Sequence, residues 1–234
     1  LIIGKAGLTK FTPPYYTFDI NIDQLDLDRY LNKSDPKQKQ PEQPIDLTAL
    51  KNLNANGSIK IGTLKVANVK AANVRVEVKA ANGRVDVSPI AANLYQGTLA
   101  GALSVQTAAT PVLAVKQTLS GINVGALLKD AANFDSLEGK GNLSLDVSGQ
   151  GNTVTAIKKA LSGNAAIKLT DGAIKGINIA GSIRDAKSKL GSLKGEKSQA
   201  ASQNEKTDFS ELSGSFNIKN GVANNNDLTG KSPL

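Results

Sequence analysis

Apolar and polar residues alternate along most of this chain, and that alternation limits its possible folds more than any other feature. In the stretch "NVRVEVKAANGRVDV", Val74, Val76 and Val78 occupy every second position, with charged residues between them. Successive side chains of a β-strand point to opposite faces of a sheet. Asn82 and Gly83 then form the two-residue turn that antiparallel hairpins favour, and alternating valines follow. This segment therefore predicts a hairpin with one apolar and one polar face.

The same alternation recurs in "NGSIKIGTLKV", "GTLAGALSVQ", "PVLAVKQTLSGI" and "GNLSLDVSGQG". Three further pairs predict turns: Asn56-Gly57, Asp171-Gly172 and Asn220-Gly221. Consecutive hairpins build a meander, and we count roughly ten or more strands. Glycines within the strands permit bends that curl a sheet. The prediction is a mainly β fold, in which a long curved antiparallel β-sheet forms an open groove, or β-taco, with two or three short helices.

Helical spacing of apolar residues occurs in three places. Segments 123–134 and 153–163 each put their large aliphatic residues on one stripe, and the second ends at a glycine, as helices often do. Segment 178–193 has similar spacing but is interrupted by Gly181. A short helical or turn segment is also expected in "IDLTALKNLN". These few helices can cover only part of a wide sheet.

Two polar stretches divide the chain. Residues 32–46 are rich in Pro, Lys and Gln and bury too little apolar surface to offset their ordering entropy, so they predict a flexible linker. A second flexible loop is expected at about 191–206. The strand-rich segment 1–31 and the main β-groove region 47–234 remain. Because the chain starts with Leu and contains no Met, we expect it to be an excised piece of a longer protein.

The aspartate-rich stretch "FDINIDQLDLDRY" has some of the spacing of a calcium-binding loop. Asp19, Asn21 and Asp23 fill the first three ligand positions. The sixth position requires glycine and holds Gln24, and the twelfth requires glutamate and holds Tyr30. Alternation with Phe and Ile explains the stretch better as a half-buried strand. We therefore predict no metal site.

Composition excludes several functional classes. The chain has no Cys and no His, which removes disulfides, thiolate chemistry, the usual general base and the common zinc ligands. The net charge of +8 comes mainly from lysines that alternate with apolar residues and form no basic run. Aromatic residues are only 4% and Trp is absent, so platforms for stacking bases are few. We expect no cofactor and no nucleic-acid partner, whereas anionic lipid headgroups and acidic partners remain open.

Strands with one apolar face must bury that face against another sheet, helices or an apolar ligand. The few predicted helices favour a groove whose smooth aliphatic wall would suit an acyl chain. A closed core without a ligand is the alternative, and composition does not decide between the two. The candidate lipid-groove residues share alternation and aliphatic character; they are Val74, Val76, Val78, Val85, Val87, Leu99, Leu103, Val105, Leu113, Val115, Leu143, Leu145, Val147, Ile167 and Leu169.

Five segments, in this order, resemble the bacterial AsmA-like family. "FDINIDQLDLDRYL" is similar to its strand and Leu-Asp-Leu-Asp-Arg-Tyr-Leu motif, and "GRVDVSPIAANLYQGTLAGALSV" to its strand, Pro, Leu-Tyr-x-Gly and second strand. "LSGINVGALLKDAANFDSLEGKGNLSLDVSGQG", "ALSGNAAIKLTDGAIKGINIAGSI" and "TDFSELSGSFNIKNGVANNNDLTGKSPL" are similar to the blocks that follow. The resemblance covers most of the chain from about Thr17 onward.

The resemblance implies the C-terminal, periplasmic part of a larger protein of outer-membrane biogenesis. It implies an upstream helix in the bacterial inner membrane, absent here, and kinship with bridge-like lipid-transfer proteins whose curved β-sheets form hydrophobic grooves. The family continues beyond "SPL" with further strands, so a last hairpin is expected to be missing. The family pattern contains no catalytic residues.

The sequence and the resemblance together leave three candidate functions. The first is shielding or conduction of phospholipid acyl chains between the inner and outer membranes. The second is a scaffold that helps outer-membrane proteins mature by pairing with exposed strand edges, which adds outer-membrane or periplasmic proteins as partners. The third is a two-carboxylate glycosidase, which scattered acids and the absence of Trp disfavour. We expect a protein that is not an enzyme.

Overall fold

The fold is known from a computed structural model, which describes residues 1–30, 42, 44–176 and 206–231. In these residues the chain forms one open sheet of twelve strands, not closed into a barrel, with three short α-helices. The prediction of a mainly β protein with a long sheet is confirmed. Among the residues so described, no helix has both the length and the apolar content needed to cross a membrane.

The strands follow one another along the sheet in chain order, as a meander requires. Each strand from β1 to β11 pairs with the next, and β12 pairs with β10 beside β11. The strands are β1 (Ile2–Phe11), β2 (Pro14–Asp26), β3 (Ala55–Val66), β4 (Val69–Ala81), β5 (Arg84–Leu94), β6 (Gly97–Gln106), β7 (Val112–Asn123), β8 (Leu137–Gln150), β9 (Ser162–Lys175), β10 (Lys206–Lys219), β11 (Val222–Asn224) and β12 (Thr229–Lys231).

One strand pair departs from the predicted antiparallel order. β2 and β3 are parallel, with Ile20 opposite Ile59 and Ile22 opposite Ile61. A parallel pair needs a long crossover connection, and the chain between Asp26 and Ala55 provides one. All other pairs are antiparallel.

Two of the four predicted turns are confirmed. Asn82-Gly83 joins β4 to β5 with φ of 52° and 70°, and Asn220-Gly221 joins β10 to β11 with φ of 52° and 74°. Both residues of each pair thus adopt the left-handed region, which Asn and Gly tolerate better than other residues. The asparagine-glycine signal identified these hairpins correctly.

The other two predicted turns are wrong, because both pairs lie inside strands. Asn56-Gly57 belongs to β3, where a Cβ on Gly57 would lie 2.4 Å from the ring of Phe18 on β2. Asp171-Gly172 belongs to β9, where Asp171 has φ of 49° and the register with β8 shifts. These glycines allow close approach of an aromatic ring or form a bulge, so they do not reverse the chain.

The helices are α1 (Thr48–Lys51), α2 (Val124–Ala132) and α3 (Val154–Lys159), and a 3₁₀ turn spans Leu27–Arg29. α2 and α3 confirm two predicted helices, and α1 lies in the segment expected to be helical or a turn. The α2 N-cap is Asn123, whose side chain accepts a hydrogen bond from the Ala126 N–H at 3.0 Å, and Thr153 caps α3 in the same way.

The predicted helix at 178–193 lies outside the described residues. The same holds for most of the predicted linker at 32–46 and of the loop at about 191–206. At the edges of these stretches, Glu42 accepts a hydrogen bond from the Thr155 N–H at 2.9 Å, and Lys206 begins β10.

Two buried clusters hold the fold together. One contains Ile122, Val124, Leu169 and Phe209, and it packs α2 onto the ends of β7 to β10. The other, the β3–β5 cluster, contains Ile61, Val74 and Ala92. No polar or charged residue among those described is buried. Burial of aliphatic groups, worth about 25 cal/mol per Å² of apolar area, therefore stabilises both clusters.

Candidate functional site

Strand register places the predicted wall residues on one face of the sheet. Residues directly opposite each other on neighbouring strands share a face. One such row runs across five strands, from Val78 to Val87, Leu103, Val115 and Val147. Aliphatic side chains thus follow one another across the strands as well as along them.

Further rows run beside this one. Val85 faces Val105 and Val105 faces Leu113. On the other side, Leu99 faces Leu119, and the row continues through Leu143 to Ile167. We call this side of the sheet the apolar face. It carries all fifteen candidates, which are Val74, Val76, Val78, Val85, Val87, Leu99, Leu103, Val105, Leu113, Val115, Leu143, Leu145, Val147, Ile167 and Leu169.

The apolar face extends beyond the predicted residues. Ile61 faces Val74 from β3, Ile22 faces Ile61 from β2, and Ile2 faces Ile22 from β1. Sequence reasoning missed these isoleucines, although they alternate with polar residues as the chosen valines do. The alternation that predicts their strands also predicts their place on the apolar face.

Exposure separates the fifteen candidates into two groups. Val74, Val147 and Leu169 are buried, with 5%, 5% and 1% of their surface exposed. The other twelve are half-buried. The described neighbours of Val74 in the β3–β5 cluster all lie on the sheet itself. Most of the candidates therefore remain partly accessible, and we call this part of the apolar face the trough.

Of the described helices, α2 and α3 lie at opposite ends of the strands. α2 lies where β7 ends and β8 begins, and it packs over Leu169, which is therefore a core residue. α3 lies at the opposite end of β8, where a Cβ on Gly149 would be 3.1 Å from the Ile157 side chain. We call these the α2 end and the α3 end. The centre of the trough lies between them.

One polar side chain interrupts the apolar face. Gln117 lies opposite Gly101 on β6 and Leu145 on β8. Its Nε2 donates to the Ala102 carbonyl at 3.3 Å, while its Oε1 is buried without a hydrogen-bond partner. A Cβ on Gly101 would lie 2.4 Å from that Oε1. The absent side chain at Gly101 thus makes room for Gln117 to lie flat on the sheet.

The described cavities lie mainly along the polar face and beside α2, although one of them also touches Gln117 and Leu145. One of about 520 Å³ is bordered mainly by residues of the opposite, polar face, such as Lys116, Asp146 and Asn164, and by the loop at Asn224. Another of about 600 Å³ lies beside α2 and is lined by charged residues. The twelve half-buried candidates make the trough a partly accessible surface in the described part of the chain. Such a surface can accept a long apolar ligand without selecting its length.

Polar contacts fix α2 at its end of the trough. The Tyr95 hydroxyl donates to Asp130 Oδ2 at 2.8 Å and accepts a hydrogen bond from the Lys70 N–H at 3.4 Å. Lys70 Nζ lies 3.7 Å from the same Asp130 carboxylate. Burial, together with the hydrogen bond to Asp130, raises the pKa of Tyr95, so its hydroxyl stays protonated and continues to donate.

No metal site accompanies the trough in the described part of the chain. There, no three side chains of the His, Cys, Asp and Glu types come together as a metal ion requires. Aspartates of the calcium-like stretch make hydrogen bonds to other groups of the protein. Asp19 accepts a hydrogen bond from the Ser58 hydroxyl at 2.9 Å, and Asp26 caps the 3₁₀ turn through the Asp28 N–H at 3.1 Å.

The family model described as the AsmA family matches residues 16–228. This chain belongs to the AsmA family. Among curated relatives, the AsmA-family chain is 24% identical over 254 residues to Protein AsmA of Escherichia coli (strain K12), an alignment that covers 99% of this chain. No solved structure matches it.

The AsmA-family chain spans only 40% of the length of that relative. The family is not known for enzymatic activity. The match over residues 16–228 confirms, at the level of the family, the resemblance found in the five sequence segments.

Proposed function

We propose that this chain is the periplasmic part of a non-enzymatic protein of outer-membrane biogenesis, anchored in the bacterial inner membrane through an upstream helix. Its apolar face shields or conducts phospholipid acyl chains between the inner and outer membranes. One observation carries the proposal: aliphatic residues form continuous rows across the strands, and most of them are only partly buried.

The mechanism is partitioning, and it requires no chemistry. Each methylene group that leaves water for the apolar face gains about 0.8 kcal/mol. From β2 to β10 the sheet makes eight steps of about 4.8 Å, or roughly 40 Å in all. One leaflet contributes about half of the roughly 30 Å hydrocarbon core of a bilayer, so the face is longer than one acyl tail. Repeated, similar aliphatic contacts allow a chain to slide.

A scaffold for outer-membrane protein maturation is the second candidate, and the β1 edge favours it. Within the part of the chain that is described, β1 pairs only with β2, and every residue of β1 is exposed. An unpaired edge of this kind can accept a strand from another protein. Periplasmic or outer-membrane proteins would then be partners.

A charge on the apolar face tests the first function against the second. Leu145→Arg places a cation in the trough, and Ser144→Arg places the same cation one residue away on the polar face. Native mass spectrometry of the full-length protein should show bound phospholipid for the wild type and Ser144→Arg, and loss of it for folded Leu145→Arg. Equal lipid occupancy in all three proteins, or none in the wild type, would refute the proposal. Pairing of the β1 edge with a strand of another protein should be unaffected by either substitution.

A further inference from the structure

Most lysines at the α2 end of the sheet pair with carboxylates, and in the described part of the chain only Lys129 and Lys140 at that end do not. At the α2 end, Lys65 pairs with Asp28 at 3.3 Å and Lys206 pairs with Asp208 at 3.2 Å. Lys70 and Lys175 at the same end pair with Asp130 and Glu138. Their charge is locally balanced by carboxylates.

The α3 end carries three lysines that have no carboxylate partner among the described residues. Lys158 and Lys159 form the last turn of α3, and Lys219 ends β10. All three are exposed, and in the described part of the chain no carboxylate lies within 4.0 Å of their Nζ atoms. The acid bonded to α3 is Glu42, which binds the Thr155 N–H at the opposite end of that helix. We call these three residues the α3 lysines.

Backbone contacts bring the α3 lysines to one place. The Gly221 N–H donates to the Leu161 carbonyl at 2.9 Å, so the turn after Lys219 packs against the chain that follows α3. A Cβ on Gly221 would lie 2.5 Å from the Lys158 carbonyl oxygen and 3.3 Å from the Lys159 Cα. The end of β10 and the last turn of α3 therefore share one rim of the sheet.

The same helix borders the apolar face. Ile157 and Leu161 lie against Gly149 of β8, which is opposite Leu113 of the trough. α3 thus presents aliphatic side chains to the trough and lysines to solvent at its rim. An amphipathic ligand that lies across this rim would place its apolar tail on the aliphatic side chains and its phosphate beside the lysines.

We infer that the α3 lysines bind the phosphate of a lipid headgroup while the acyl chains of that lipid lie on the apolar face. This inference rests on the proposed lipid function and adds a preference for anionic lipids and a position for the headgroup. Free phosphate offers the same chemistry but cannot use the adjacent apolar surface. A lysine near an anionic lipid surface contributes about 1 kcal/mol, equivalent to about a fivefold change in affinity.

The test compares three ligands on the full-length protein in an uncharged detergent: phosphatidylglycerol, diacylglycerol with the same acyl chains, and inorganic phosphate. The variant Lys158→Ala/Lys159→Ala/Lys219→Ala removes the α3 lysines. The control Lys60→Ala/Lys129→Ala/Lys140→Ala removes three exposed lysines elsewhere. A triple Lys→Arg variant at the α3 positions keeps the charge.

We expect wild-type protein to bind phosphatidylglycerol at least tenfold more tightly than diacylglycerol, and the alanine variant to lose that difference while its diacylglycerol affinity stays unchanged. The control and arginine variants should behave as the wild type. Three results would overturn the inference but leave acyl-chain binding standing. They are equal affinity for the two lipids, an equal loss of phosphatidylglycerol affinity in the alanine and control variants, and displacement of the lipid by inorganic phosphate at an equal concentration. Failure of both lipids to bind would overturn the inference and the proposed function together.

Discussion

Asp28 accepts a hydrogen bond from the Asn68 backbone N–H at 3.0 Å, joining the end of β2 to the turn between β3 and β4. The carboxylate also accepts from the Ala67 N–H and pairs with Lys65 at 3.3 Å. Ala67 and Asn68 both have positive φ, of 49° and 64°. The aspartate thus stabilises an unfavourable turn and fixes the register of the parallel pair. This contact gives the aspartate after β2 a structural role.

Replacing Asp28 by asparagine should destabilise the protein and weaken its sensitivity to acid. The hydrogen bond from Asn68 is the main cause that lowers the pKa of Asp28 in the folded state. A carboxylate with a lowered folded pKa contributes stability above its unfolded pKa of about 3.9, and this contribution is lost as pH falls through the folded value. Asp28→Asn should therefore lower Tm at pH 7 and flatten the loss of Tm below about pH 4.

Thermal denaturation between pH 2.5 and pH 7 measures this effect. Asp146→Asn is the matched control, because Asp146 makes only an exposed pair with Lys116. A change in Tm that is the same for both variants at every pH would show that Asp28 has no special role in the turn.

Removing the Tyr95 hydroxyl should loosen α2. Tyr95→Phe deletes the bond to Asp130 and leaves the Lys70 N–H without its acceptor. The loss of a partly buried hydrogen bond typically costs about 1 kcal/mol. We expect faster hydrogen exchange of the α2 amides, with α3 unchanged as the internal control. Unchanged exchange in α2 would mean that the apolar cluster alone holds the helix.

The far edge of β10 is closed by side chains as well as strands. Asp227 Oδ1 accepts from the Ser215 N–H at 2.8 Å, and Asn225 Nδ2 donates to the Ser215 carbonyl at 2.7 Å. These contacts fill the gap between the stretches that pair with β11 and β12. Asp227→Ala should expose this edge and promote concentration-dependent self-association, since unpaired edges recruit strands.

Analytical ultracentrifugation over a range of concentrations would detect that association. Asn226→Ala changes the neighbouring residue in the same loop, and this variant should self-associate no more than the wild type does. If Asp227→Ala and Asn226→Ala sediment alike, the side chains of this loop do not protect the edge.

Local periodicity predicted the strands and their apolar face because both depend on neighbours two residues apart. It predicted that Val76 and Leu145 lie on the apolar face without knowledge of their cross-strand partners. It could not distinguish the parallel pairing of Ile20 with Ile59 from an antiparallel one, because the alternation is the same in both arrangements. The misassigned turn at Gly57 has a similar origin, since the aromatic ring that requires glycine there belongs to a distant strand.

Contacts between distant residues also account for what was missed at the site. Asp28 binds the backbone of a turn that lies forty residues away in sequence. The α3 lysines converge only because the turn after β10 packs against the chain that follows α3. No window of local sequence contains both groups in either case.

Site-specific photo-crosslinking along β8 tests the central claim most directly. A photoreactive amino acid is introduced singly at Leu143, Ser144, Leu145, Asp146 and Val147 of the full-length protein in cells, and lipid adducts are measured by mass spectrometry. The account predicts adducts at Leu143 and Leu145 and none at Ser144 or Asp146, a pattern with a period of two residues; Val147 is buried and should give a lower yield than Leu145. Adducts at all five positions in equal yield, or at none, would contradict it.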